Sequence, residues 1–242
     1  MTTSRKMDIK LMQRGITQSE VITRYVLELI ENHRLQPGAS LPSEIAIAAE
    51  TGVSRGIVRE AIRGLAHLGV VNVANGRKPR VGKLNGNVLS LLIEYAVKIE
   101  QITVLQTLDV RRALEVRSAQ LAALHRTDRE AEEILQAAQK MKSSLGDHDL
   151  MTRHDINFHI LIATASRNSL LRLEIEGFKY VMESTAPIGW KSRSDYNDVL
   201  NQVAVHLDIA EAIKNRDPEK ASDLMKKHFN DTSTVLSNVG FN

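Results

Sequence analysis

The 242 residues include no cysteine, which excludes disulfides and thiolate metal centres and leaves any bound metal to nitrogen and oxygen ligands. Aromatics at 4% against 43% hydrophobic residues favour helices packed through Leu, Ile, Val and Ala over a β-sandwich, and no apolar run approaches the roughly 20 residues of a membrane span. The net charge of +3 divides into +6 over residues 1–83 and −3 over the rest, so a basic module precedes a slightly acidic one.

Residues 1–15 read as a polar arm without a signal-peptide core, and the chain is expected in the cytoplasm. Thr17-Gln18-Ser19-Glu20 matches a capping box. The helix it opens carries Val21, Tyr25, Val26, Leu29 and Ile30 on one stripe and ends near His33. Pro37-Gly38 forces a turn, and Leu41-Pro42-Ser43-Glu44 starts a second short helix reaching Glu50. Gly52 supplies a positive φ for the turn that follows, and Ser54 caps a third helix running to about Leu68. Val70, Val71 and Val73 read as a strand, Asn75-Gly76 as a hairpin turn, and Pro79-Arg80-Val81 as the return strand. This order predicts a winged helix-turn-helix over residues 16–82, followed by a polar linker at 83–88.

Beyond the linker the pattern is helical at about 88–100, 102–125, 127–145, 149–166, 168–185, 196–215 and 217–237. Asn168 and Asp217 suit N-caps, with Pro218 at the favoured first helical position. A break is expected at Pro187-Ile188-Gly189, which places Trp190, Lys191 and Arg193 in a solvated loop, with the rim of a pocket as the alternative. The expected fold is mainly α: the winged module plus an antiparallel all-α bundle of six to seven helices over residues 89–237.

In the third helix Val58, Ala61, Ile62, Leu65 and Leu68 form the inward stripe, while Arg55, Arg59 and Arg63 step along the adjacent face. Arginine matches O6 and N7 of guanine bidentately, and the first turns of a recognition helix reach base edges. That suits Arg55 and Arg59 to bases. Arg63 suits a phosphate, or an ion pair with Glu60 or Glu28. Arg77, Lys78 and Arg80 give the wing positive charge for the DNA backbone or the adjacent minor groove. A merely solvated helix could carry three arginines, but the ordered series of caps, turns and basic hairpin is far more specific.

This stretch, from about Ile16 to Val81, resembles the GntR family of bacterial transcription regulators. The resemblance rests on Leu35-Gln36-Pro37-Gly38, Leu41-Pro42-Ser43-Glu44, Gly52-Val53-Ser54-Arg55, Val58-Arg59-Glu60-Ala61 and the run from Leu65 to Val70. It implies Arg55 and Arg59 at bases or phosphates, Ser54 at a phosphate, and wing contacts from Asn75-Gly76-Arg77. Ile45 stands where many members carry a DNA-contacting arginine, and Gly56-Ile57 where Thr-Pro or Thr-Thr is common, so the operator sequence does not carry over. Adjacent major grooves lie about 34–36 Å apart, so a palindromic double-stranded operator requires a second copy of the chain.

Asp155 and His159, four residues apart, share one helix face. His206 and His228 fall mid-helix beside Val203, Ile209, Ile213, Leu224 and Met225, where an unpaired imidazole is costly. These donors suit a divalent metal, Zn²⁺ first, with Ni²⁺ or Mn²⁺ as alternatives. The four could close a tetrahedral site, or leave two positions for water or a carboxylate in an octahedral one. The other histidines, His33, His67, His125, His148 and His154, read as surface or ordinary core residues.

Residues 88–236 are similar to the FCD class of GntR effector domains. The similarity rests on Val110-Arg111-Arg112-Ala113-Leu114-Glu115, Asp155-Ile156-Asn157-Phe158-His159, Asn168 with Leu170 and Leu171, His206 with Ala212-Ile213, and Met225 with His228. It implies a metal held by Asp155, His159, His206 and His228, a homodimer, and release from DNA when a small organic acid binds. It also implies Arg111 at the effector carboxylate, the alternative being a salt bridge to Glu115. Asn168 is a second effector-side candidate, the alternative being a helix cap. The expected function is a ligand-responsive repressor, not an enzyme. One rival is a metal-dependent enzyme using an open His₃Asp site to activate water, although no H-E-x-x-H arrangement is present. The other is a regulator whose metal is purely structural.

Overall fold

The computed structural model describes residues 15–74, 77–193 and 195–241. The chain divides into two compact units between residues 85 and 86. In the first unit, α1 (Gln18–Asn32), α2 (Glu44–Thr51) and α3 (Arg55–His67) precede the short antiparallel strands β1 (Val71–Asn72) and β2 (Arg80–Val81). Thr17 and Glu20 form the capping box that starts α1, Ser43 caps α2, and Ser54 caps α3 by accepting from the Ile57 N–H. Gly52 ends α2 at φ 72°, a left-handed conformation that a β-carbon would disfavour. Ile22, Val26, Leu41, Ile47, Val58, Ile62, Leu65 and Val71 close the core.

The strands are shorter than the sequence pattern suggests, pairing Val71 with Val81 and Asn72 with Arg80. A third segment completes the sheet: Ser40 bridges Arg80, the Gly38 N–H donates to the Val81 carbonyl at 2.8 Å, and the Leu41 N–H donates to the Pro79 carbonyl at 2.8 Å. That partner lies about forty positions upstream of β2, on the far side of two helices, beyond the reach of any local pattern. The expected hairpin turn at Asn75-Gly76, and the arm up to residue 14, lie outside the described residues.

The second unit is all helical: α4 (Asn87–Lys98), α5 (Val104–His125), α6 (Asp128–Ser143), α7 (His148–Ala165), α8 (Ser169–Gly177), α9 (Lys179–Lys191), α10 (Tyr196–Lys214) and α11 (Pro218–Asn238). Helix α5 packs on α11 and α7, and α10 packs on α6 and α11. Their shared interior holds Leu108, Ile134, Met141, Met151, Phe158, Ile162, Ile209, Ile213, Met225 and Phe229.

The unit thus has eight helices among the described residues, where periodicity suggests six to seven. The expected single helix over 168–185 is two. The chain bends at Phe178, and both α8 and α9 pack on α4. A β-carbon on Gly177 would lie 2.8 Å from that of Leu89, so glycine permits this close crossing. The expected break at Pro187 is absent. Helix α9 runs through it to Lys191, giving up the hydrogen bond from position 187 to the Glu183 carbonyl and accommodating the proline ring against it. Trp190 is consequently a buried helical residue, 5% exposed, and not part of a solvated loop.

Candidate functional site

On the first unit, Ser54, Arg55, Arg59 and Arg63 all lie on the exposed side of α3, opposite the buried Val58, Ala61, Ile62 and Leu65. Arg77 and Lys78 are exposed beside the wing, and Arg80 donates to the Gly38 carbonyl at 2.7 Å while remaining exposed. Arg59 pairs with Glu44 at 3.2 Å. The Ser54 hydroxyl is engaged as the helix cap.

In the second unit, five helices converge on one cluster. Helix α7 contributes Asp155 and His159, α10 His206, α11 His228, α5 Arg111 and Glu115, and α9 Trp190. His159, His206 and His228 each present one ring nitrogen within 4.8 Å of the others, all three being buried. Asp155 Oδ1 lies 2.9 Å from His206 Nε2 and 3.6 Å from His159 Nε2.

Each imidazole is anchored through Nδ1. His206 Nδ1 lies 2.8 Å from the Gln202 carbonyl, to which it donates. His228 Nδ1 meets the Gln202 side-chain amide at 2.8 Å. His159 Nδ1 forms an ion pair with Glu115, which also accepts from Arg111 Nε at 2.8 Å. A ring that donates from Nδ1 to a carboxylate or carbonyl, as His159 and His206 do, leaves Nε2 as the lone pair, the usual support around metal-binding histidines; at His228 the Gln202 amide nitrogen donates to Nδ1, so Nε2 becomes a ligand only with that amide turned to present its oxygen.

The remaining atoms fit a cation. His206 Nε2 faces the Asp155 carboxylate at 2.9 Å, a contact that either a proton on Nε2 or a cation between the two groups satisfies. His159 Nε2 is buried without a hydrogen-bond partner. Burial, with the His206 and His159 imidazoles, holds the pKa of His228 well below its ordinary value, so the ring is neutral as ligation requires. Burial alone would raise the Asp155 carboxyl, but His159 and His206 hold it well below the usual range and keep it anionic. Burial would likewise raise Glu115, and Arg111 and His159 overcome it to lower its pKa. Burial pulls His159 down, but Glu115 and Asp155 raise it to about 9, so in the absence of a metal this ring is an imidazolium balancing the two carboxylates, and an ion bound at Nε2 would displace that proton. The nitrogen and carboxylate donors together fit a borderline divalent metal.

A small cavity, partly open to solvent, lies beside this cluster. Arg111, Asp155, His159, Trp190, Arg193 and Gln202 are among its lining residues. His159, His206 and His228 therefore form one cluster, Asp155 joins it against His206 and His159, and Arg111 lines the adjoining cavity. Asn168 does not: it is exposed, absent from the lining, and caps α8 by accepting from the Leu170 and Leu171 N–H groups. Sequence reading missed Gln202 and the supporting part of Glu115. The available signal was spacing: Gln202 precedes His206 by four residues, and Glu115 follows Arg111 by four.

Family models match both units. Residues 18–81 match the bacterial regulatory proteins of the gntR family, and residues 106–231 match the FCD domain. The chain belongs to the GntR family of bacterial regulators that carry an FCD domain. It is 36% identical over 144 residues to the HTH-type transcriptional regulator LutR of Bacillus subtilis, an alignment covering 60% of this chain and 66% of that protein. It is 26% identical over 227 residues to the HTH-type transcriptional repressor NanR of Salmonella newport, covering 92% of this chain and 86% of that protein. A Streptococcus agalactiae GntR structure has the same fold, with a TM-score of 0.68 at 22% identity over 89% of this chain and 99% of that one. These families and relatives are transcription regulators, not enzymes. No helix among the described residues is long and apolar enough to cross a membrane.

The Arg111–Glu115–His159 chain yields a direct expectation. Glu115→Gln removes the charge that fixes His159 and should weaken divalent-metal affinity by about 10–100-fold, as other outer partners of metal ligands do. It also leaves Arg111 buried without its counter-charge, a loss of about 3–5 kcal/mol. Chelator competition and denaturant unfolding read the two effects separately. Unchanged metal affinity would show that Glu115 merely neutralises Arg111.

Proposed function

We propose that this GntR regulator is a homodimeric repressor of a palindromic operator, released from DNA when a small organic acid enters a metal-containing FCD cavity. The metal is a divalent ion, Zn²⁺ first by donor type, held by Asp155, His159, His206 and His228. When bound it supplies a Lewis-acidic anchor for a carboxylate. The observation that carries this reading is the cluster of three buried imidazoles with the Asp155 carboxylate, of which His159, His228 and Asp155 line a cavity shared with Arg111.

The protein's own groups do the rest. Gln202 and Glu115 hold the imidazoles in orientation through Nδ1. Arg111 adds a guanidinium on the cavity wall, steadied by Glu115 and by stacking 5.1 Å from the Phe229 ring centroid. On the DNA side, Arg55, Arg59 and Arg63 line the exposed face of α3, with Arg77 and Lys78 beside the wing. Ser54 is assigned a phosphate contact, as are Asn75 and Gly76, which lie outside the described residues. Asn168 is left as a helix cap. The working location is the cytoplasm, on the nucleoid when DNA is bound.

The test begins with an operator duplex selected in vitro from random palindromes and followed by fluorescence anisotropy. Carboxylic acids are then titrated into metal-loaded and chelator-treated protein. At least one acid should lower operator affinity by about 5–150-fold, the span of a ~1–3 kcal/mol coupling, in the metal-loaded protein only. No release by any acid in either state would overturn the reading.

A further inference from the structure

The metal and Arg111 account for one end of the cavity. A second polar position lies where α9 ends. Trp190 lines the cavity and is 5% exposed, yet its indole Nε1–H has no hydrogen-bond partner. Arg193 lines the same cavity, and its Nε–H is also buried without a partner. The Arg193 guanidinium stacks 5.7 Å from the Trp190 ring centroid. A buried donor left unsatisfied costs about 1–3 kcal/mol, so two on one wall point to an acceptor that arrives with a ligand.

The two arginines of the cavity differ in their partners. Arg111 is neutralised at close range by Glu115. Arg193 lines the cavity on one side and shares two adjoining grooves with Asp198 and Asp231 on the other. Its guanidinium is faced by Asp231, Asp198 and Asp155, so what it offers the cavity is a buried N–H donor rather than an excess charge. The separation is short, since the Trp190 and His206 ring centroids are 6.2 Å apart.

We infer that the effector is a short bipolar acid, with one carboxylate at the metal end and a second oxygen acceptor, a hydroxyl or carboxylate, received by Trp190 Nε1–H and Arg193. The inference rests on the carboxylate-sensing function proposed above. It makes Trp190 and Arg193 the residues that separate bipolar acids from simple fatty acids of equal length. The second acceptor satisfies donors that otherwise stay unpaired, and a monoacid leaves them so.

Trp190 is the single tryptophan of the chain, so its fluorescence reports on this position. Metal-loaded full-length protein is titrated with three- to five-carbon monoacids, hydroxy acids and diacids of matched length. Tryptophan emission and calorimetry are followed, and the same titrations are repeated after chelation. A bipolar acid should bind about tenfold or more tightly than the monoacid of its length and should alter Trp190 emission. The hydroxy-acid and diacid arms tell which acceptor is read. By calorimetry, Trp190→Phe, which keeps an aromatic ring and loses the N–H, should shrink the preference to about threefold or less. Arg193→Gln, at a half-buried position just past the end of α9, should do the same and guards against a folding defect at Trp190. Equal affinity for matched mono- and bipolar acids, or a preference unchanged in both variants, overturns the inference while leaving the metal-end reading intact. A bipolar preference that survives chelation sinks the metal-end reading instead, and binding by no acid overturns both.

Discussion

Replacing His206 by alanine is expected to abolish metal-dependent stabilisation of the FCD unit. His206 is fully buried, its Nδ1 is fixed on the Gln202 carbonyl, and its Nε2 faces Asp155. An ion bound only by the native state adds RT ln(1 + [M]/Kd), about 2.7 kcal/mol at a hundredfold excess over Kd. For a domain of this size that is a rise in Tm of roughly 5–10 °C. The proper comparison is the shift on adding Zn²⁺ within each variant, because His206→Ala also opens a cavity and lowers the baseline. Wild type should show the rise and His206→Ala should not. His33→Ala, on an exposed position of the first unit, serves as the control and should keep the full rise. An equal shift in His206→Ala would remove His206 from the ligand set.

Arg55→Ala should weaken operator binding by about 1–3 kcal/mol, roughly 5–150-fold, and relax base preference at one position of each half-site. Arg55 is exposed in the first turn of α3, directly after the Ser54 cap, where a recognition helix meets base edges. Arg59 must first exchange its 3.2 Å pairing with Glu44. That pair is exposed and worth about 0–1 kcal/mol, so the exchange is cheap beside a bidentate guanine contact. Anisotropy titrations across a set of salt concentrations separate the roles. Loss of a base contact changes sequence preference, whereas loss of a phosphate contact flattens the salt dependence by about one unit of slope. Arg55→Ala binding selected and scrambled duplexes with the same ratio as wild type would contradict base reading by Arg55.

The helical elements are legible in the sequence where local chemistry decides them. Thr17 with Glu20, Ser43, Ser54, Asn168 and Asp217 cap helices as their residue types suggest. Legibility ends where distant packing decides. The bend at Phe178 depends on α4 crossing at Gly177, and the helix through Pro187 depends on burying Trp190. The strand-like segment at Gly38–Leu41 depends on a partner about forty residues away. The same division holds at the site. Asp155 and His159 announce themselves by spacing, and His206 and His228 by apolar neighbours. Gln202, Glu115 and Trp190 acquire meaning only once five helices have brought them to one place.

The central claim is that one divalent ion sits among Asp155, His159, His206 and His228. Elemental analysis of dialysed protein, with anomalous diffraction at the absorption edge of the metal found, tests it most directly. Close to one equivalent per chain is expected, with one anomalous peak within coordination distance of three imidazole Nε2 atoms and the Asp155 carboxylate. Metal-free protein after loading, or a peak elsewhere with these four side chains hydrogen-bonded only to one another, would contradict it.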